Sequence, residues 1–159
     1  MALGPIIDVL RAVPLFATFP EEALRVVAFG AEKITRRRGQ RLFTVGAPAF
    51  TGLIVVDGAV ELRTGADRLA PPLAIVGPGA LIGELALLLE TTRPATAVMA
   101  EDGTLVEIPR LLMRRVLDEF PEVAVTLKEM FAARLAETMS GLTRIGEAMD
   151  ALGAPPQES

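Results

Sequence analysis

The sequence predicts one domain that is mainly β, with helices at both ends of the chain. A length of 159 residues suits a single domain with one core. Between residues 39 and 109, short β-prone runs alternate with Gly, Pro or Asp, whereas the apolar residues on either side follow a helical period. Many short strands joined by tight turns are typical of a sandwich, a jelly roll or a barrel.

The N-terminal region, residues 1–30, is predicted to hold two helices. Ile6, Ile7, Leu10 and Val13 recur at helical spacing, which indicates a short helix that ends at Pro14. The segment Thr18-Phe19-Pro20-Glu21 has the spacing of a capping box and predicts a second helix over about 18–30.

The β region is predicted over residues 31–109. Asp57-Gly58 lies between two β-prone runs and indicates a hairpin with a type I′ turn, which needs a positive φ at both central residues. The runs that we expect to form strands are 41–45, 53–56, 59–63, 73–76, 95–99 and 104–108.

The C-terminal region, residues 110–152, is predicted to be helical again, and residues 153–159 to form a disordered tail. A helix with Leu112, Val116 and Leu117 on one face precedes Phe120-Pro121, and a long helix begins near Glu122. Within the long helix, apolar positions step by three and four residues, as in the seam of a coiled coil. We therefore expect a homodimer through the 122–152 helix. The seam positions are Leu135, Thr138, Leu142, Ile145, Met149 and Leu152.

Composition removes several classes of function. The chain has no cysteine and no histidine, so it lacks disulfides, thiolate chemistry and the commonest general base and metal ligand. We expect neither an enzyme nor a bound cofactor or metal. Residues are 51% apolar, but the apolar runs are short, so no membrane insertion is expected. The first thirty residues resemble no signal peptide, which favours the cytoplasm.

The charge pattern gives little support for nucleic-acid binding. A net charge of −4 creates no field that attracts a phosphate polymer. The one basic cluster is interpreted as the solvated end of a hairpin at Gly39, and we expect no DNA binding by this chain alone. The cluster consists of Lys33, Arg36, Arg37, Arg38 and Arg41.

A candidate anion site lies between two β-prone runs. Gly83 and Glu84 open a helix-prone stretch that is too short to be a full helix, and the backbone N–H groups at such a start favour an anion. Arg93 follows Glu84 by nine residues and is placed to return over the same anion. A carboxylate beside a phosphate would accept hydrogen bonds from an attached sugar. The pattern therefore points to a nucleotide.

These residues carry a resemblance to a known family. Gly-Glu-Leu-Ala-Leu at 83–87, followed after a spacer by Arg-x-Ala-Thr at 93–96, resembles the phosphate-binding cassette of the cyclic-nucleotide-binding domain family. The flanking segments 45–48, 55–60 and 77–79 are similar too, and the similarity covers roughly residues 13–142. The resemblance implies an eight-stranded β-roll with N-terminal helices and a long C-terminal helix, and cAMP or cGMP as the ligand.

The resemblance also implies roles for individual residues. Gly83 and neighbouring amides would hold the phosphate, Glu84 the ribose 2′-hydroxyl and Arg93 the exocyclic phosphate oxygens. In the catabolite-activator branch, a threonine of the long helix contacts the purine at the dimer seam, and Thr138 takes that position. The complete set of expected ligand-binding residues is Gly83, Glu84, Leu85, Ala86, Arg93, Pro94, Ala95 and Thr138.

Two hypotheses about function remain open at this point. Pro94 stands where the family usually has alanine or serine, and proline offers the phosphate neither an N–H nor a hydroxyl. The first hypothesis is a sensor, without the helix-turn-helix of catabolite activators, that transmits ligand binding to an unknown partner protein. The second is a degenerate domain that acts without ligand as a dimerisation or interaction module.

Overall fold

The computed structural model describes residues 3–65, 70–133 and 136. The chain divides into two compact units, Met1–Pro121 and Glu122–Ser159. The first unit contains the N-terminal helices, the strands and one further helix. In the second unit, the described residues are helical through 133 and at 136. The long seam predicted from Leu135 to Leu152 lies outside the described residues, except for position 136, so the predicted homodimer stays a prediction.

The N-terminal region forms the helices α1 (Leu3–Arg11), α2 (Pro14–Ala17) and α3 (Glu21–Gly30). Their apolar faces are buried, with Leu10, Phe16 and Leu24 at 0–1% exposure. Pro14 begins α2 at its first position, where the missing N–H has no helical partner to lose.

The predicted capping box is wrong. Thr18 ends α2 in a helical conformation, with its backbone N–H donated to the carbonyl of Phe16, and α3 instead begins after Pro20 with no side-chain cap. Because Thr18 already closes one helix, it does not adopt the extended conformation that an N-cap needs.

The β region folds as a roll, which confirms the predicted fold class. Two four-stranded antiparallel sheets have the orders β1-β10-β4-β7 and β2-β9-β5-β6, and a two-stranded ribbon pairs β3 with β8. The six predicted runs correspond to β2, β4, β5, β6, β9 and β10. The strands are β1 Glu32–Arg36, β2 Arg41–Phe43, β3 Pro48–Ala49, β4 Thr51–Asp57, β5 Val60–Arg63, β6 Ala74–Val76, β7 Leu81–Ile82, β8 Thr91–Thr92, β9 Thr96–Met99 and β10 Gly103–Pro109.

The core of the roll lies between the two sheets, because alternate residues of each strand point inward. Leu53 and Val55 come from one sheet and Val60, Ala97 and Met99 from the other, and all are at most 3% exposed. Residues 52–55 of β4 are all buried, so this strand is covered on both faces. This double burial explains the uninterrupted apolar run that β4 shows in sequence.

The predicted hairpin at Asp57-Gly58 is wrong, although the turn is present. β4 and β5 belong to different sheets, so the turn is a corner of the roll. Gly58 alone has a positive φ, of 84°, and a Cβ there would lie 2.7 Å from the carbonyl oxygen of Asp102. Asp57 instead accepts the N–H of Thr104 at 2.9 Å. The turn at Asp57-Gly58 and the turn at Asp102-Gly103 therefore contact and stabilise each other.

The basic cluster also lies at a corner of the roll. The turn at Gly39, with φ 86°, joins β1 of one sheet to β2 of the other, so it is not a hairpin. Arg37, Arg38 and Arg41 are exposed, as the sequence predicted.

The first C-terminal helix, α4, spans Arg110–Glu119 and follows β10 directly. Met113 and Val116 are fully buried, while Leu111 is 73% exposed. No helix in the described part of the chain is long and apolar enough to cross a membrane.

Candidate functional site

The candidate site is built on a tight turn between β7 and β8. Gly83 follows β7 with φ 81°, and a 3-10 turn over Leu85–Leu87 follows at once, with Glu84 as its first flanking residue. Only glycine adopts this conformation at little cost, which is why the chain can turn here without strain. The short helix-prone stretch predicted at 85–89 is confirmed as this single turn.

The turn is seated on β4 through a second glycine. Leu87 is 1% exposed, and its side chain lies where a Cβ on Gly52 would be, with its Cγ only 2.8 Å from that position. Gly52 therefore lets the cassette approach the strand backbone closely. The cassette, residues 83–93, runs from the glycine turn to Arg93.

Arg93 returns to the start of the cassette, as the sequence predicted. Its Nη1 lies 2.6 Å from the position that a Cβ on Gly83 would occupy, so the guanidinium sits directly against the glycine. The side chain is buried, with 6% of its surface exposed. Two residues that are ten positions apart in sequence thus form one site.

Two residues contact the Arg93 guanidinium, and a third acts on its charge. Its Nη2 donates to the Thr51 hydroxyl at 3.1 Å, and its Cζ lies 4.2 Å from the centre of the Phe43 ring. Burial lowers the pKa of Arg93, and the negative charge of Glu107 acts in the opposite direction. The guanidinium therefore lies in a buried site with little water around it.

One donor of this guanidinium has no acceptor. Nη1 of Arg93 is buried and makes no hydrogen bond to any part of the chain that the structure describes. A buried donor without a partner costs about 1–3 kcal/mol, and more when it is charged. An anion that accepted a hydrogen bond from Nη1 would remove this cost.

The backbone around Arg93 is fixed by the turn after β2. The N–H of Arg93 donates to the carbonyl of Ala47, and the N–H of Gly46 donates to the carbonyl of Arg93, both at 2.8 Å. The hydroxyl of Thr96 accepts the N–H of Val45 at 2.9 Å. These bonds hold the residues on both sides of Pro94, whose own ring is exposed.

The other predicted ligand-binding residues occupy different surroundings. Leu85 is 52% exposed, whereas Ala86 and Ala95 are buried. The N–H of Ala86 already donates to the carbonyl of Gly83 at 3.1 Å. A phosphate that used this donor would have to compete with the hydrogen bond of the turn. Thr138 lies outside the described residues. The ligand contacts assigned to this set stay predictions.

Sequence reasoning missed the residues that hold the arginine. Phe43, Thr51 and Glu107 lie on three different strands, and their strand positions carry no motif. Their proximity to Arg93 depends on how the two sheets close, which short-range sequence patterns do not report. The spacing of a motif is a local property, whereas the environment of its arginine is a property of the whole roll.

Comparison with known proteins agrees with this geometry. The sequence model of the cyclic nucleotide-binding domain matches residues 33–120, more than half of the chain. Among curated proteins, the cyclic AMP receptor protein of Thermus thermophilus is 31% identical over 129 residues, which cover 80% of this chain and 60% of the receptor. Lysophospholipase nte1 of Neurospora crassa is 28% identical over 89% of this chain, but the match spans only 9% of that enzyme.

A solved structure shows the same fold. The N-terminal domain of a transcriptional regulator from Streptomyces coelicolor is 35% identical, with a TM-score of 0.76 over 85% of this chain and 95% of that domain.

The chain belongs to the cyclic nucleotide-binding domain family, as the match over residues 33–120 shows.

Proposed function

We propose that this chain is a cytoplasmic cyclic-nucleotide sensor domain that binds cAMP or cGMP through the cassette and performs no chemistry on it. The observation that carries the proposal is the buried Nη1 of Arg93, which faces Gly83 and lacks an acceptor among the described residues. An equatorial or axial oxygen of a cyclic phosphate is an acceptor of the required charge and size. Guanidinium groups bind phosphate with short, charge-assisted hydrogen bonds.

The proposal also covers the ribose and the base of the nucleotide. Glu84 is adjacent to Gly83 and is only partly exposed, which suits a carboxylate that accepts a ribose hydroxyl. Base contact by Thr138 and homodimerisation through the 122–152 helix belong to the same proposal. A partner protein would detect the change in the C-terminal helices, since a ligand shifts a conformational equilibrium through its different affinity for the two states.

Calorimetric titration with cAMP and with cGMP tests this function. We expect saturable heat with one or both nucleotides, and a loss of at least about tenfold in affinity for Arg93→Lys, which keeps the charge but not the planar fork. Arg114→Lys, on the exposed face of α4, is the control and should bind as the wild type does. Absence of heat at millimolar nucleotide would reject the proposal.

A second function is favoured by one observation, the presence of Pro94. Proline removes an N–H beside the phosphate position, and Thr51 and Phe43 already satisfy part of the Arg93 guanidinium. The alternative is therefore a ligand-free interaction module. It predicts the same stability and the same partner binding with and without nucleotide, and it predicts that Arg93→Lys leaves partner binding unchanged.

A further inference from the structure

Arg110 occupies the junction between the roll and α4. It is the first residue of α4, and its backbone N–H donates to the carbonyl of Phe50 at 2.8 Å. Its Nη1 donates to two other carbonyls, that of Ala49 at 3.1 Å and that of Leu89 at 3.0 Å. Its Cζ lies 5.7 Å from the centre of the Phe50 ring. One side chain thus joins three parts of the fold.

The two carbonyls belong to segments that frame the cassette. Leu89 closes the cassette turn, because its N–H donates to the carbonyl of Leu85 at 3.0 Å. Ala49 lies in β3 and is paired with Thr91 of β8, directly before Arg93. Arg110 therefore holds the cassette at the end of its turn and, through β3, at the strand that leads to Arg93.

The cassette also contacts α4 through apolar packing. The 3-10 turn Leu85–Leu87 packs against α4, and Leu87 and Met113 are both buried. Apolar contacts are not directional, so they allow the turn to slide or rotate on the helix. The hydrogen bonds from Arg110 fix the orientation that packing alone leaves free. A charged donor makes stronger hydrogen bonds to carbonyls than a neutral one does.

We propose that Arg110 is a positioning residue that fixes the cassette against the first turn of α4, so that occupancy of the cassette controls how α4 is held. The coupling rests on the proposed function, because it needs a nucleotide that binds the cassette. The positioning itself does not need a ligand. Lysine cannot replace Arg110 fully, because its ammonium lacks the planar guanidinium that lies over the Phe50 ring while Nη1 reaches the two carbonyls.

Hydrogen exchange in the ligand-free protein tests the positioning. The amides of Leu87, Leu88 and Leu89 donate within the cassette turn, so they report its opening. We expect Arg110→Met to accelerate their exchange about tenfold and Arg110→Lys about threefold. Arg114→Met, an exposed position on the same helix, should leave them unchanged. Unchanged cassette exchange in a folded Arg110→Met protein would overturn the positioning role. If Arg110→Met does not fold, Arg110→Lys decides by the same criterion.

Exchange in the presence of cAMP and of cGMP tests the coupling. In the wild type, we expect nucleotide to slow exchange in the cassette and in the first turns of α4. In Arg110→Met, the cassette should still respond while α4 does not. An equal response of α4 in both proteins would overturn the coupling. If neither segment of the wild type responds, the proposed function and the coupling both fail, whereas the ligand-free comparison still decides whether Arg110 positions the cassette.

Discussion

Nη1 of Arg93 lies 2.6 Å from the place where a Cβ on Gly83 would be, so the arginine and the glycine share one space at the centre of the candidate site. Two features require glycine at position 83: its φ of 81° and the close approach of the Arg93 guanidinium. The first is a property of the backbone, and the second is a property of the site. Substitutions can distinguish the two.

Gly83→Ala should weaken nucleotide binding by at least about tenfold, because it strains the backbone and displaces Arg93. The strain alone costs about 1–2 kcal/mol. The matched control is Gly79→Ala, since Gly79 has a φ of 90° but no atom within 4 Å of its Cβ position. Gly83→Ala should lose more stability than Gly79→Ala by thermal unfolding, because its Cβ would also lie 3.0 Å from the carbonyl oxygen of Thr51. Only Gly83→Ala should lose affinity by calorimetry. Equal affinities for the two variants would contradict the account.

Arg93→Met should stabilise the ligand-free protein by about 1 kcal/mol while it abolishes nucleotide binding. The substitution removes a buried charge with an unpartnered donor and keeps much of the apolar volume. Denaturant unfolding without ligand measures the first effect, and calorimetry the second. Exposed Arg114→Met provides the reference for an arginine without this environment. A destabilised Arg93→Met protein would mean that Thr51 and Phe43 already satisfy the guanidinium.

Pro94→Ala should tighten nucleotide binding by about tenfold, because it supplies the backbone N–H that proline lacks. Pro94→Ser should bind at least as tightly, since it adds a hydroxyl donor to the same N–H. Pro94 is exposed, so neither change should disturb the core. Parallel calorimetric titrations of the three proteins measure the series. Identical affinities in all three would show that position 94 does not face the phosphate.

Gly52→Ala should destabilise the protein by about 1–3 kcal/mol, because its Cβ would lie 2.8 Å from the Cγ of Leu87. Combining it with Leu87→Ala should relieve the collision, so that the double variant loses at least about 1 kcal/mol less than the sum of the single losses. Gly65→Ala, with no atom within 4 Å of its Cβ position, is the control. If the losses in the free energy of unfolding were additive, Gly52 and Leu87 would not be in energetic contact, and Gly52 would not support the cassette.

The parts of the fold that follow from local patterns were predictable from sequence. Short β-prone runs between turn residues predicted six of the ten described strands, and helical spacing predicted α1, α3 and α4. The structure at Asp57-Gly58 could not be predicted from local sequence, because a hairpin and a corner between two sheets use the same residues. Which of them forms depends on the distant turn at Asp102, whose carbonyl oxygen lies 2.7 Å from the Cβ position of Gly58.

Some residues of the candidate site were likewise predictable from sequence, and others were not. Gly83, Glu84 and Arg93 were predictable because their spacing belongs to one short segment. Thr51 and Arg110 were not, since their contacts with the cassette arise only when β4 and α4 pack against it. Thr51 is one of many strand threonines, and Arg110 one of three arginines in α4. Only the closed roll distinguishes them from the others.

NMR of the arginine guanidinium resonances tests most directly whether Nη1 of Arg93 donates a hydrogen bond to a cyclic phosphate. Titration with cAMP or cGMP should shift the Arg93 Nη signals and slow their exchange with water, while adenosine and guanosine, which lack the phosphate, should not. Arg93→Lys identifies the signals by their loss. Arg93 signals that stay unchanged while nucleotide saturates the protein, or that shift equally with the nucleosides, would contradict the claim.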